Sequence, residues 1–288
     1  MYAGLTLVTP PTGEPVSVAD VTLHSRITTS ADASMVAGYI SASRRLIEGQ
    51  AAIALMPQSW RYALRHWPGR SYTNVARNFS TLAEYYKFNY IEIPRPPLQS
   101  ITTFTYMDVN GNLFNMQQGY ANTEGNYLLD LDSQPGRIFL PYSGIWPTTV
   151  LLPMDPIQIV FVAGYSAFAG TVNVDASGLL VSWASGSLFD PTMAGSFMQI
   201  GGASCSVQTV TDANDIVLAV KTTPNQTGVP YTANSVPQNY KQAIILLAAD
   251  MYQNREATLI DSMPTDMPYG VKALLDLDRN FHPIGQGF

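Results

Sequence analysis

The side chains able to do chemistry in this sequence are few and scattered. Its three histidines, His24, His66 and His282, lie far apart, with none of the short spacings that place two metal ligands together. A single cysteine, Cys205, excludes an internal disulfide framework and a cysteine-built zinc site, and reads as a small buried apolar residue. Carboxylates occur in two i,i+2 pairs, Asp130 with Asp132 and Asp276 with Asp278. Such pairs could serve hydrolysis or calcium binding. On a strand Asp130 and Asp132 would share a face, but DLDSQPGRI runs straight into a Pro-Gly turn, where Asp and Ser satisfy backbone donors. In a helix, Asp276 and Asp278 would point to different faces. No glycine-rich phosphate loop and no Gly-x-Ser-x-Gly elbow is present, and Ser185-Gly186-Ser187 has no helix behind it. The residues therefore assign no catalytic, cofactor-binding or metal site, and the expectation is a protein that is not an enzyme.

The elements that would position any site come next. The chain has 288 residues, 46% hydrophobic but only 12% charged, with 21 Gly and 20 Pro, a balance that fits turn-rich β proteins and subunits covered by neighbours. No apolar run is long enough to cross a bilayer, and MYAGLTLVTPPTGEP lacks the basic segment and apolar core of a signal peptide, so a soluble, non-exported protein is expected. A net charge of -6, with no basic cluster beyond Arg44-Arg45, argues against ordinary nucleic-acid binding.

Ser17 can cap a short helix in PVSVADVTLHSRI, with Asp20 near its positive end. From Asp32 a second helix is expected, with Met35, Val36, Tyr39, Ile40, Leu46 and Ile47 as its apolar stripe and Arg44, Arg45 and Glu48 mostly on the other side. After Pro57 the period changes to two. Strands are expected at QSWRYALRHW, 90–93, 101–107, 113–116, 127–131, 137–140 and 157–163, with a loop over 69–89. Short strands between Gly, Ser and Asn turns fill the region to Val229, and helices return at VPQNYKQAIILLAADMYQNREA and from Tyr269 to Arg279.

One stretch, YIEIPRPPLQSIT, interrupts two strands with Pro94, Pro96 and Pro97. It satisfies the PxxP pattern of a polyproline ligand, yet its flanking strands make it a rigid corner, with Arg95 held outward as a contact residue.

The segments PRPPLQSI, DSQPGRI and FVAGY, with the helix ending in NRE, together make the chain resemble the head-tail connector (adaptor) proteins of tailed bacteriophages. The resemblance covers 1–165 and 229–280 and treats 166–228 as an inserted β module. It implies an α+β fold: a helical bundle of two N-terminal and two C-terminal helices packed with a β region, plus a small all-β inserted domain. The domains would be 1–165 with 229–288, and 166–228. It implies a structural virion subunit at the head-tail junction, in a homo-oligomeric ring of typically about twelve copies. Its partners would be the portal protein and a tail or second neck protein, with double-stranded DNA only passing through the lumen, and neither cofactor nor membrane. Arg44, Arg45, Arg95, Phe281 and Phe288 are the candidate contact residues, the last two on the tail NFHPIGQGF. Two other readings stay open. A carbohydrate- or receptor-binding β protein would line a groove with exposed aromatics such as Trp183, and a hydrolase would converge Asp130 or Asp132 with a base.

Overall fold

The computed structural model describes residues 3–68, 90–121, 125–142, 144–254 and 269–277. The loop expected over 69–89 and the tail bearing Phe281 and Phe288 lie outside them. The chain divides into two compact units, one of residues 1–12 and 52–164, the other of 13–51 and 165–288.

The first unit is built from two sheets. One has five strands in the order β1-β2-β9-β4-β5: β1 (Ala3–Thr9), β2 (Gln58–Leu64), β9 (Ile157–Ala163), β4 (Leu98–Met107) and β5 (Leu113–Asn115). The other has the order β3-β8-β7-β6: β3 (Tyr90–Glu92), β8 (Arg137–Phe139), β7 (Asn126–Asp130) and β6 (Gln117–Gln118). Strand β9 shows why these residues form a central strand, since IQIVFVA is apolar on both faces apart from Gln158 and pairs with β2 and β4 on its two sides. Side chains from both sheets share one aromatic core. Trp67 stacks on Trp146 at 4.9 Å between centroids, and Phe104 meets Tyr127 edge-on at 5.2 Å.

The second unit joins the helices to a barrel. Strands β10 (Ala167–Val174), β11 (Leu180–Gly186), β14 (Asp215–Leu218), β13 (Ala203–Val210), β12 (Phe197–Ile200) and β15 (Gln226–Asn234) close on themselves because β10 pairs with both β11 and β15. Closure removes every sheet edge. The interior is filled by small and medium apolar side chains, Val172, Val181, Met198, Val207, Ile216 and Leu218 among them, with Cys205 buried as expected. Carboxylates make the tight turns: Asp175 accepts from Ser177 Oγ at 2.7 Å and from the Gly178 amide at 2.9 Å. Helices α1 (Val18–His24), α2 (Ala33–Ala51), α3 (Gln238–Gln253) and α4 (Tyr269–Asp276) accompany this barrel, α2 lying on α3, and α1 touching both.

This overturns the expected fold class. Rather than a helical bundle with a small β insert, the described residues form fifteen strands in three sheets, including a six-stranded barrel, with only four mostly short helices. The helical period is the loudest signal in the sequence because α2 and α3 are its longest elements, whereas strands of two to ten residues each leave a weak trace. β1 is absent from the sequence reading, although Leu5 and Leu7 alternate with Thr6 and Val8.

Candidate functional site

The proline corner is the best-defined special feature. β3 belongs to one sheet of the first unit and β4 to the other, so Pro94–Pro97 carries the chain between sheets. Prolines supply no backbone N–H, and they end the β3 ladder where the switch occurs. Their carbonyls still accept: Pro96 O takes the Ala54 amide at 2.9 Å and Pro97 O the Gly164 amide at 2.8 Å. The Pro96–Pro97 peptide is cis. Arg95 adopts a left-handed φ of +63° and lays its guanidinium over the Trp60 ring, 5.3 Å from the centroid. It is half-buried against Trp60 rather than held outward.

The segments PRPPLQSI, DSQPGRI and FVAGY converge on this corner. Ile93 donates to Gly136 O at 2.9 Å, and a Cβ on Gly136 would stand 2.7 Å from Leu98 Cβ, so DSQPGRI packs directly against PRPPLQSI. Gly164 of FVAGY has φ +125°, and a Cβ there would come within 2.2 Å of Met56 O. Its carbonyl accepts from Gln99 Nε2 at 2.8 Å. These motifs are the joints of one sandwich.

The carboxylate pair dissolves into turn chemistry. Asp130 accepts from the Asp132 amide at 3.1 Å, the Ser133 amide at 3.2 Å and Ser133 Oγ at 2.6 Å. The Ser133 hydroxyl, the largest influence, holds its carboxyl below the usual range. Asp132 is exposed beside it. Asp276 sits at the end of α4, and Asp278 lies outside the described residues, as does His282. His24 is exposed and His66 half-buried. Among the described residues no group of three His, Cys, Asp or Glu side chains could hold a metal ion, and no helix is long and apolar enough to cross a membrane. Trp183 is half-buried against the barrel core.

Arg44 and Glu48 correct the expected helix face. α2 buries Val36, Ile40, Ser43, Arg44, Ile47 and Glu48, while Leu46 is exposed, so the inward stripe is rotated toward the charged residues. Burial is tolerated because the charges are paired: Arg44 Nε donates to Glu14 at 2.7 Å and Nη1 to Glu48 at 2.8 Å. Arg45 remains on the exposed face.

A second polar cluster went unnoticed in the sequence. Ser17 caps α1 as expected, in a full capping box with Asp20. Gln199 of β12 adds hydrogen bonds to Ser17 Oγ at 3.2 Å and to Asp20 at 3.3 Å, while Asn234 of β15 donates to Pro15 O at 3.1 Å. Lys241, on the first turn of α3, is 5% exposed and donates to Asn234 O at 3.4 Å. Burial pushes its ammonium down to about 8, against the attraction of Asp20. Within this unit the cluster fastens helix starts to the barrel wall. No local pattern in the sequence marks Gln199 or Lys241, because what makes them special is a distant partner.

No protein-family model matches the chain, and no curated protein matches it in sequence. Solved structures do share its fold. One is a chain in the neck of an empty gene transfer agent particle computed with six-fold symmetry, 20% identical, covering 95% of this chain and 94% of that one at a TM-score of 0.50. Another, from the virion of a native gene transfer agent particle, is 18% identical and covers 98% of this chain and 97% of that one at a TM-score of 0.51.

Proposed function

We propose that this chain is a structural subunit of the neck of a phage-like particle, forming a ring between the portal and the tail side through which DNA passes. The observation that carries the reading is the extent of the shared fold: the likeness to a neck chain runs over 95% of this chain and 94% of the other. A match confined to one β module would support a generic β domain; this one takes in strands, barrel and helices alike.

The residues agree with the role. Large apolar side chains stand exposed in the first unit, with Tyr142, Val150 and Met154 each more than two-thirds accessible, as on a surface meant to be covered by neighbours. Asp130 is held by a turn and Arg44 is held by Glu14 and Glu48. A net charge of -6 suits a conduit that must not hold phosphates by counterion release. The role is structural and needs no cofactor. The test is an in vitro assembly experiment: the purified chain, alone and mixed with a cognate portal, should give rings and ring-on-portal complexes by electron microscopy. A chain that binds no portal and stays monomeric would overturn the reading.

A further inference from the structure

The five-stranded sheet of the first unit ends in β1 on one side and β5 on the other, and no described residue pairs with the outer edge of either strand. Natural sheets blunt such edges with short strands, charges, proline, bulges or a covering element, and β5, at three residues, has its shortness. Here β1 reads AGLTLVT and β5 reads LFN, so neither carries a charge or a proline. The irregularity in β1 falls at Val8 and leaves Ala3 to Leu7 paired one to one with Leu64 to Trp60, a regular edge. Apolar side chains are exposed along both edges: Leu7 and Val8 on one, Leu113 and Phe114 on the other.

Chain direction adds the decisive constraint. Every neighbouring pair in this sheet is antiparallel, so β1 and β5, four steps apart, run the same way. A two-fold dimer would join like edges, β1 to β1 or β5 to β5, whereas rotation about a ring axis brings unlike edges together. We propose that copies of this chain join by β-augmentation, β5 of one copy lying parallel to β1 of the next, so that the five-stranded sheets continue around the ring. This rests on the ring reading given above and adds the surface by which the ring closes. Only a closed ring leaves no edge of the five-stranded sheet open, which makes closure the stable end point. Five strands span about 24 Å, so about six to twelve copies would line a passage roughly 45–90 Å across.

The test uses the full chain with Cys205→Ser and two added cysteines, Thr6→Cys or Leu7→Cys on β1 combined with Leu113→Cys or Phe114→Cys on β5. Mild oxidation of the concentrated protein should give a ladder of covalent oligomers in at least one combination, with tryptic peptides linking position 6 or 7 to 113 or 114, and no ladder from either cysteine alone. Independently, Thr6→Lys with Leu113→Lys should keep the circular-dichroism spectrum and lower the assembled fraction about tenfold or more. Rings that assemble without any β1–β5 link, or links joining position 6 to position 6, would overturn edge pairing while leaving the ring reading intact. A folded chain that never assembles would overturn both.

Discussion

Arg44 shows how far a residue's role departs from its type. In the sequence it is half of the strongest basic pair; in the fold its guanidinium is shared between Glu14 and Glu48, both within its own unit. Removing only the arginine would leave two carboxylates facing each other in poor solvent, so Arg44→Ala should cost about 3 kcal/mol of stability in chemical denaturation. Replacing Arg44 and Glu48 together by Met and Leu should cost less than half of that. Lys241 gives a pH signature. Its folded value, about 8, lies below the ordinary 10.5, so the unfolded chain holds the proton more tightly between those limits. Stability should therefore rise as pH increases from about 8 to 10.5, by roughly 1–3 kcal/mol, and Lys241→Met should abolish that rise in pH-dependent thermal melts. Arg95→Ala should lower stability by about 0.5–1 kcal/mol through the lost stacking on Trp60, and Arg95→Lys by less.

At the scale of elements, the sequence was a good guide wherever a segment carries its own period or punctuation. The expected strands at 90–93, 101–107, 113–116, 127–131, 137–140 and 157–163 lie within a few residues of β3, β4, β5, β7, β8 and β9, because turn residues such as Asn110-Gly111 and Pro135-Gly136 bracket them. Ser17 announced α1 through its capping box. What the sequence hid was pairing. Nothing local says that β10 must bond to β15, some sixty residues on, and without that closure the region looks like loose short strands rather than a barrel. The same blindness turned α2 through part of a turn, since the partners that make Arg44 and Glu48 buriable come from elsewhere or only become inward-facing once folded. The Arg95 corner was legible as a corner, but not that its arginine folds back on Trp60. The junctions make a sharp test: Gly164→Ala forces a Cβ against Met56 O at a φ that alanine avoids, and should cost more than about 3 kcal/mol, read as loss of cooperative unfolding of the first unit.

At the scale of the whole molecule, what matters is what the chain keeps exposed and what it shares. Arg44, Glu14, Glu48 and Asp130 are engaged internally, large apolar side chains and two uncharged sheet edges stand outward among the described residues, and the fold runs along nearly the full length of a neck chain of a gene transfer agent particle. Those properties support the proposed role, that of a part surrounded by neighbours. The helical bundle expected from the connector resemblance was wrong as architecture, but the proposed neck role does not depend on it, since a β sandwich is as able to tile a ring as a helix face is. Electron microscopy of the purified full-length chain at high concentration tests this most directly. The account predicts closed rings of one size with rotational symmetry and a central opening wide enough for a DNA duplex; particles that remain monomeric, or that form two-fold dimers without an opening, would contradict it.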